Sequence, residues 1–353
     1  MISLNYTERL KKLKERRTDT DVVNNMFLEN YLSKEYFVEN YEKVNEKDIY
    51  KYILGAMEEV DNIYTKNTFL EAERVTNQLD KIKNSNLNFE YRYQGSVSNN
   101  THIKAHSDID ILVIIDKFVT LENPQKPINP YKGNPVKDLY ELRINCEEHL
   151  KKAFYKAEVN CDGAKSISLK GGSLKRKIDV VPSNWFNTNM YKELGEEKFR
   201  GVQVLDKFTQ KRIKNTPFYH NYLLEEKDLK CCGNFRRLVR FVKTLKADSE
   251  NEINFSSYDI TALIYNMNDS DFLVENKYLM LIKNFKNYVE YVIQDSEYRK
   301  ALYVPDRSRK IFVKDNSLEE LKKLKNEVDM IFNEISKDLY FSSISLENKS
   351  FSI

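Results

Sequence analysis

The sequence predicts an α+β chain of two lobes: a mixed-sheet lobe, a C-terminal helical lobe, and a long spine helix near the N-terminus. Three observations carry this reading. A stretch from about Lys47 to Asn84, nearly free of Gly and Pro, repeats apolar residues at helical spacing. The next block, to about residue 182, mixes β-branched runs with a single helical pattern. Beyond about residue 225 the periodicity is helical almost to the end. With 353 residues and ~150 per domain, two domains are expected, divided as 1–220 and 221–353.

Residues 1–20 are highly charged and helical in character. The spine pattern runs through Tyr50, Ile53, Leu54, Met57 and Val60, then Phe69, Ala72, Val75 and Leu79, with only Gly55 intruding. Asn84 to Asn88 breaks it. Phe89 to Tyr93 reads as a short strand, and Ile109 to Ile115 as a buried one. Pro124, Pro127, Pro130 and Pro135 mark a long surface connection, and Pro135 suits the first turn of a helix over Val136 to Ala157. Strands are expected at Lys165 to Leu169 and at Leu174 to Val181, joined through Gly171-Gly172 and ended by Pro182. Helical segments follow near 228–247, 257–267, 272–297 and 317–338. A cleft between the lobes is the default place for a ligand.

Composition narrows the function classes. The chain carries 57 Lys+Arg against 54 Asp+Glu, which excludes a histone-like polycation. Its longest strongly apolar run, Ile111 to Ile115, is far short of the ~20 residues that span a bilayer, and no secretory signal is visible. Four cysteines, two of them adjacent, do not form a disulfide framework, so reduced thiols and a cytoplasmic location are expected.

The residues that carry chemistry are Gln94-Gly95-Ser96, then Ser107-Asp108-Ile109-Asp110 leading into Ile-Leu-Val-Ile-Ile. Strand alternation puts Asp108 and Asp110 on one face and Ile109 and Ile111 on the other. Two like charges so placed call for a cation, and hard divalent ions prefer oxygen ligands and carry phosphates. Gly95-Ser96 offers a close backbone approach and a hydroxyl suited to phosphate oxygens. A third acid, Asp179, lies on the later strand with Lys175 and Lys177 on its face. Three carboxylates holding two metals activate a hydroxyl and stabilise a leaving pyrophosphate. Asp-x-Asp alone is commonplace, and so is a Gly-Ser turn; the conjunction is what points to a site.

These motifs resemble the polymerase-β-type nucleotidyltransferase superfamily and, within it, the bacterial CD-NTases, relatives of cyclic GMP–AMP synthase and oligoadenylate synthase. The matches are Gln94-Gly95-Ser96, Asp108-Ile109-Asp110 and Ile178-Asp179-Val180-Val181-Pro182, with Arg237 to Lys243 and Ser256-Ser257-Tyr258 in the helical half. The likeness runs from about residue 45 to 300 and implies a two-lobed polymerase-β-like fold. It implies Asp108, Asp110 and Asp179 as catalytic residues and as ligands of two Mg²⁺ ions, with Mn²⁺ as a substitute. It implies nucleotide contacts from Gln94, Gly95 and Ser96, triphosphate contacts from Lys243 and Ser257, and base stacking by Tyr258. The activity implied joins NTPs (ATP, GTP, UTP or CTP) into a cyclic di- or trinucleotide with release of pyrophosphate. Such a product is a second messenger for a downstream effector in antiphage (CBASS) defence. No membrane is expected as a partner, and a nucleic-acid activator is left open.

The residues also have plainer readings. Lys243 borders the apolar stripe Leu238, Val239, Val242 and Leu245, and Ser256-Ser257 is equally a helix N-cap. Cys231-Cys232 is expected to be a pair of buried thiols rather than a zinc site, because four suitably spaced ligands are missing. His106 reads as a turn residue and Asp116 as a solvated strand end. The Lys-rich segment near 322–325 reads as an amphipathic surface helix. The bulky terminal Ile353 gives no ground for conjugation through the C-terminus. Two alternatives remain at this stage: an RNA-tailing enzyme of the CCA-adding or poly(A) polymerase kind, which would call for a basic stripe, and a catalytically inactive nucleic-acid-sensing module, which three intact acids argue against.

Overall fold

The computed structural model describes residues 5–17, 39–104 and 108–351; His106, Ser107 and Ile353 lie outside the described residues. In chain order the first elements are α1 (Tyr6–Arg17), α2 (Asp48–Met57), α3 (Asn62–Leu79), β1 (Phe89–Gln94), β2 (Ile109–Leu121) and α4 (Pro135–Ala153). Then come β3 (Glu158–Asn160), β4 (Ile167–Gly171), β5 (Leu174–Asn187), β6 (Gly201–Asp206) and β7 (Lys211–Asn215). The later helices are α5 (Pro217–Lys230), α6 (Asn234–Asp248), α7 (Ser257–Tyr265), α8 (Tyr278–Gln294) and α9 (Ser317–Phe341), with shorter helical turns between them.

The chain packs as two compact units. One comprises Asp61–Asn100 and Ser107–Leu223; the other comprises Met1–Val60, Thr101–His106 and Leu224–Ile353. The described residues 5–17 and 39–60 therefore go with the helices, whereas the expected division into 1–220 and 221–353 groups them with the sheet. The expected spine helix is also two helices. Backbone N–H of Glu58 closes α2 on the Leu54 carbonyl, and the Asp61 side chain accepts the Tyr64 N–H at 2.6 Å to start α3. An N-cap acid embedded among good helix formers interrupts the helix without any Gly or Pro to announce it.

The sheet unit holds a seven-stranded mixed sheet ordered β1-β2-β5-β4-β3, with β6 pairing β5 and β7 pairing β6. The β2–β5 pair is parallel; the other pairs are antiparallel. Alternation sorts β2 between two cores. Ile109, Ile111, Val113 and Ile115 pack with Ala72, Val75 and Leu79 of α3 and with Leu139, Leu142, Cys146 and Leu150 of α4. Leu112 and Ile114 pack on the opposite face with Val181, Trp185, Val202 and Val204. Each such buried aliphatic side chain contributes roughly 1.5–3 kcal/mol. Glu71 of α3 also accepts the backbone N–H groups of Lys175 and Arg176, both at 3.0 Å, and so fixes the start of β5.

Pro182 does not end its strand. It pairs with Val113, and β5 runs on to Asn187. The neighbour on the other side of β5 changes there: β4 stops at Val180 and β6 begins at Ser183. The proline, which has no N–H to give, thus falls at the point where β5 exchanges one antiparallel neighbour for the other.

The helical unit is built around a core of Tyr50, Ile53, Leu54, Phe235, Leu238, Val242, Leu245, Ile282, Phe285, Val328 and Ile331. Helix α1 is fastened to it by Arg9, which donates to Glu327 at 2.7 Å in a buried pair, and by Arg16 on Asp248. The expected 228–247 helix begins only at Asn234, because Cys232 (φ +52°) and Gly233 (φ +80°) reverse the chain first. Cys231 is buried but Cys232 is exposed, so the expected pair of buried thiols is half correct. No helix among the described residues is long and apolar enough to cross a membrane.

Candidate active site

The pairing of β1, β2, β5 and β4 sets four residues in one row across the sheet: Gln94, Asp110, Asp179 and Ser168. Residues directly opposite in paired strands share a face, so the second and third acids are neighbours, with Gln94 and Ser168 at their flanks. Asp108 precedes Asp110 by two residues and Lys177 precedes Asp179 by two, so both lie on the same face. Behind the row the buried side chains of Leu112 and Val181 form an apolar floor. The sheet thus presents its acids on the face opposite α3 and α4.

Gly95 follows β1 with φ +87°, in the left-handed region. A Cβ at this position would lie 2.5 Å from Oδ2 of Asp110. Glycine is therefore required twice, for its backbone conformation and for the close approach of the carboxylate. The turn carrying Ser96 is held by side chains: Ser98 Oγ donates to the Gly95 carbonyl at 2.9 Å, and Asn221 Nδ2 donates to Ser98 Oγ at 3.1 Å. Asn215 Nδ2 donates to Gln94 Oε1 at 3.2 Å.

The electrostatics of the row are unbalanced. Burial, reinforced by the charges of Asp179 and Asp108 and opposed by Lys177, pushes the Asp110 carboxyl up to about 7. Oδ1 of Asp179 is buried with no hydrogen-bond partner among the described residues. The ammonium of Lys177 donates to Oδ2 of Asp108 and, at 3.0 Å, to Oδ2 of Asp179. No three His, Cys, Asp or Glu side chains among the described residues are closed into a metal-ligand cluster; an ammonium bridges two of the acids instead. The donor set nevertheless fits a hard divalent cation: three carboxylates, one with an unsatisfied buried oxygen, in mutual repulsion that a cation would relieve.

A pH dependence follows. The folded state holds the Asp110 proton more tightly than the unfolded chain, so the associated stability is full below about pH 4 and is lost as pH rises through about 7. In metal-free buffer the melting temperature should therefore fall between about pH 5 and 8, and the fall should be smaller in Asp110→Asn. Identical pH profiles for the two proteins, read by thermal denaturation, would contradict the raised value.

The remaining expected residues belong to the helical unit. Lys243, on α6, is buried, and its ammonium donates to the Thr101 carbonyl at 2.8 Å and to Thr101 Oγ1 at 3.1 Å. Burial, with the nearby charges of Arg240 and Lys246, pushes it down to about 7. Ser256 is the N-cap of α7, accepting the Asp259 N–H at 3.0 Å, which leaves Ser257 and Tyr258 exposed on the first turn. The Arg309 guanidinium lies 5.1 Å from the Tyr258 ring centroid and donates to Asp259 at 2.7 Å. Asp116 is exposed and accepts from Asn88 at 3.1 Å, solvated as expected, although β2 runs on past it to Leu121 and it does not end the strand. The structure thus gathers Gln94, Gly95, Asp108, Asp110 and Asp179, with Ser96 in the adjoining turn, and holds Lys243, Ser257 and Tyr258 on α6 and α7. Sequence reasoning did not single out Ser168, Asn215, Asn221 or Thr101.

A family model described as the cGAS/DncV-like nucleotidyltransferase C-terminal helical domain matches residues 223–335. A cyclic dinucleotide synthase CdnE from Yersinia aleksiciae is 38% identical over 295 residues, spanning 82% of this chain and 77% of that protein. A c-di-GMP synthase from Capnocytophaga granulosa is 30% identical over 322 residues, spanning 84% of this chain and 90% of the relative. The solved structure of a STING-associated CdnE c-di-GMP synthase from Capnocytophaga granulosa matches with a TM-score of 0.75 at 28% identity, covering 95% of this chain and 100% of that one.

Proposed function

Because the chain belongs to the cGAS/DncV-like nucleotidyltransferases (CD-NTases), we propose that it joins two GTP molecules into cyclic di-GMP for a STING-type effector. The observation that supports the chemistry is the single-face set Asp108, Asp110 and Asp179, with a buried, unsatisfied oxygen on the last. The choice of GTP rests on the relatives named as c-di-GMP synthases. That kinship also favours a cyclic product over RNA tailing. A cytoplasmic setting, where NTPs are plentiful, suits the reading.

Asp108, Asp110 and Asp179 would hold divalent metal, Mg²⁺ or Mn²⁺, which when bound neutralises the triphosphate and acidifies the attacking hydroxyl. The chain's own groups do the rest. Gly95 lets the triphosphate approach the backbone, and the Ser96 hydroxyl meets its oxygens, while the apolar floor of Leu112 and Val181 limits water. Asp179 would accept the ribose hydroxyl proton as the bond to the α-phosphorus forms and pyrophosphate leaves.

The test is incubation of the pure protein and Mg²⁺ with each NTP singly and with all four, followed by mass spectrometry. GTP alone should yield the mass of cyclic di-GMP. A product that requires ATP would overturn the base assignment, and no nucleotide product from any mixture would overturn the function.

Ser257 and Lys243 are proposed triphosphate contacts. Ser257→Ala and Lys243→Ala should raise the NTP concentration needed more than they lower the saturated rate, at roughly 1.5–3 kcal/mol for each lost charge-assisted hydrogen bond. Thr101→Val separates two roles for Lys243. If the lysine acts by holding Thr101, this variant should reproduce part of its effect. Unchanged apparent KM in Ser257→Ala and Lys243→Ala would leave these residues as cap and packing only.

A further inference from the structure

We propose that Lys177 is the resident counter-ion of the acid row, lodged between Asp108 and Asp179 until a metal-bearing triphosphate displaces it. On this account free Mg²⁺ binds the enzyme weakly, and the metal enters with the nucleotide. Lys177 is then a positioning residue, which keeps the acids in place and sets the order in which metal and substrate arrive. The inference rests on the reading that the three acids take divalent metal.

Four observations carry it. The Lys177 ammonium donates to both Asp108 and Asp179, one acid from each of two paired strands, so it occupies the space those carboxylates share. It leaves Oδ1 of Asp179 without a partner among the described residues, so the lysine satisfies the row only in part. The number of groups points the same way. Three carboxyl groups share this face with one ammonium, which donates to two of them, whereas divalent metal can take oxygens from all three. Finally, the lysine can leave. Its side chain is 38% exposed and Asp108 is 40% exposed, whereas Asp179 is 15% exposed. An ammonium on a flexible four-carbon stem at a half-open site can rotate toward solvent without unfolding anything around it.

Exchange has a clear electrostatic logic. A free dication approaching the row meets a fixed positive charge within a few ångströms, and that repulsion weakens its binding. A metal already complexed to a triphosphate brings negative oxygens with it. The displaced ammonium can then trade carboxylate oxygens for phosphate oxygens on the same face, so its charge remains compensated throughout.

The experiment is a titration of Mn²⁺, read by the electron paramagnetic resonance signal of free ion, into metal-free full-length protein without nucleotide. Wild type, Lys177→Gln and Lys177→Arg are compared, and each is also melted with and without Mn²⁺. Lys177→Gln should bind Mn²⁺ about tenfold or more tightly than wild type, while Lys177→Arg, which keeps the charge, should resemble wild type. Metal-free Lys177→Gln should melt lower than wild type and regain stability when Mn²⁺ is added. A lysine with a merely structural role would lower the melting temperature and leave Mn²⁺ affinity unmoved, and equal affinity in wild type and Lys177→Gln overturns the inference. Failure of the underlying reading looks different: no Mn²⁺ bound by any of the three proteins, and product formation from GTP that persists in EDTA.

Discussion

Asp110→Asn should abolish pyrophosphate release, with turnover down about a thousandfold or more, while the protein stays folded. The side chain is the centre of the row, paired in register with Gln94 on one side and Asp179 on the other. Removing a group that stabilises charge in the transition state typically costs about 3–4 kcal/mol, and ~4 kcal/mol is three orders of magnitude in rate. Asparagine keeps the shape and removes a charge that repels Asp179 and Asp108, so the variant should melt no lower than wild type without metal. Asp108→Asn should be impaired in the same way, and EDTA should reproduce both effects in wild type. Near-normal turnover in the double variant, measured by coupled pyrophosphate release, would sink the assignment.

Asp179→Asn should fail differently. This acid comes from another strand than the pair, and of the three acids it alone carries a buried oxygen with no partner among the described residues. In the proposed role of ligand and proton acceptor for the incoming hydroxyl, it would be needed for bond formation more than for holding the donor nucleotide. Mg²⁺–GTP should therefore still bind, within a few-fold of wild type by calorimetry, and yet no phosphodiester should form. Normal product from Asp179→Asn would mean that the third acid lies elsewhere.

Much of this site was legible because strand alternation is a strict rule. Once Ile109 to Ile115 is read as a buried strand, Asp108 and Asp110 must share a face, and the apolar–Asp–apolar pattern of Ile178 to Val180 marks a second strand of the same kind. The register between the two strands was not legible. Asp110 beside Asp179 follows from parallel pairing across a long connection, and no local pattern specifies it. Ser168 was hidden by a different cause. Counting back from the tight turn, where Gly171 pairs with Leu174, would set Ser166 opposite Asp179; the register shift between Leu169 and Gly171 puts Ser168 there instead.

Other features escaped because their signals were weak or misleading. The break between α2 and α3 has no Gly or Pro, only the capping carboxylate of Asp61. Pro182 looked like a stop because a proline lacks a donor, but β5 exchanges neighbours at that point. Strands β6 and β7 were not expected at all. The second of these, Lys211 to Asn215, is a charged edge with little apolar alternation, which protects an open strand and hides it from pattern reading. The burial of Lys243 against Thr101 could not come from its own helix, since the stripe beside it predicts only a solvated border.

The most direct test of the account is the ratio of pyrophosphate released to nucleotide incorporated, with wild-type protein, GTP and Mg²⁺, together with phosphatase treatment of the product. A nucleotidyltransferase that closes its product into a ring must release one pyrophosphate for every nucleotide it joins, and the product must resist phosphatase because it has no terminal phosphate. A shortfall of one pyrophosphate per product molecule, with a triphosphate end that phosphatase removes, would show a linear chain and contradict the cyclic synthase described here.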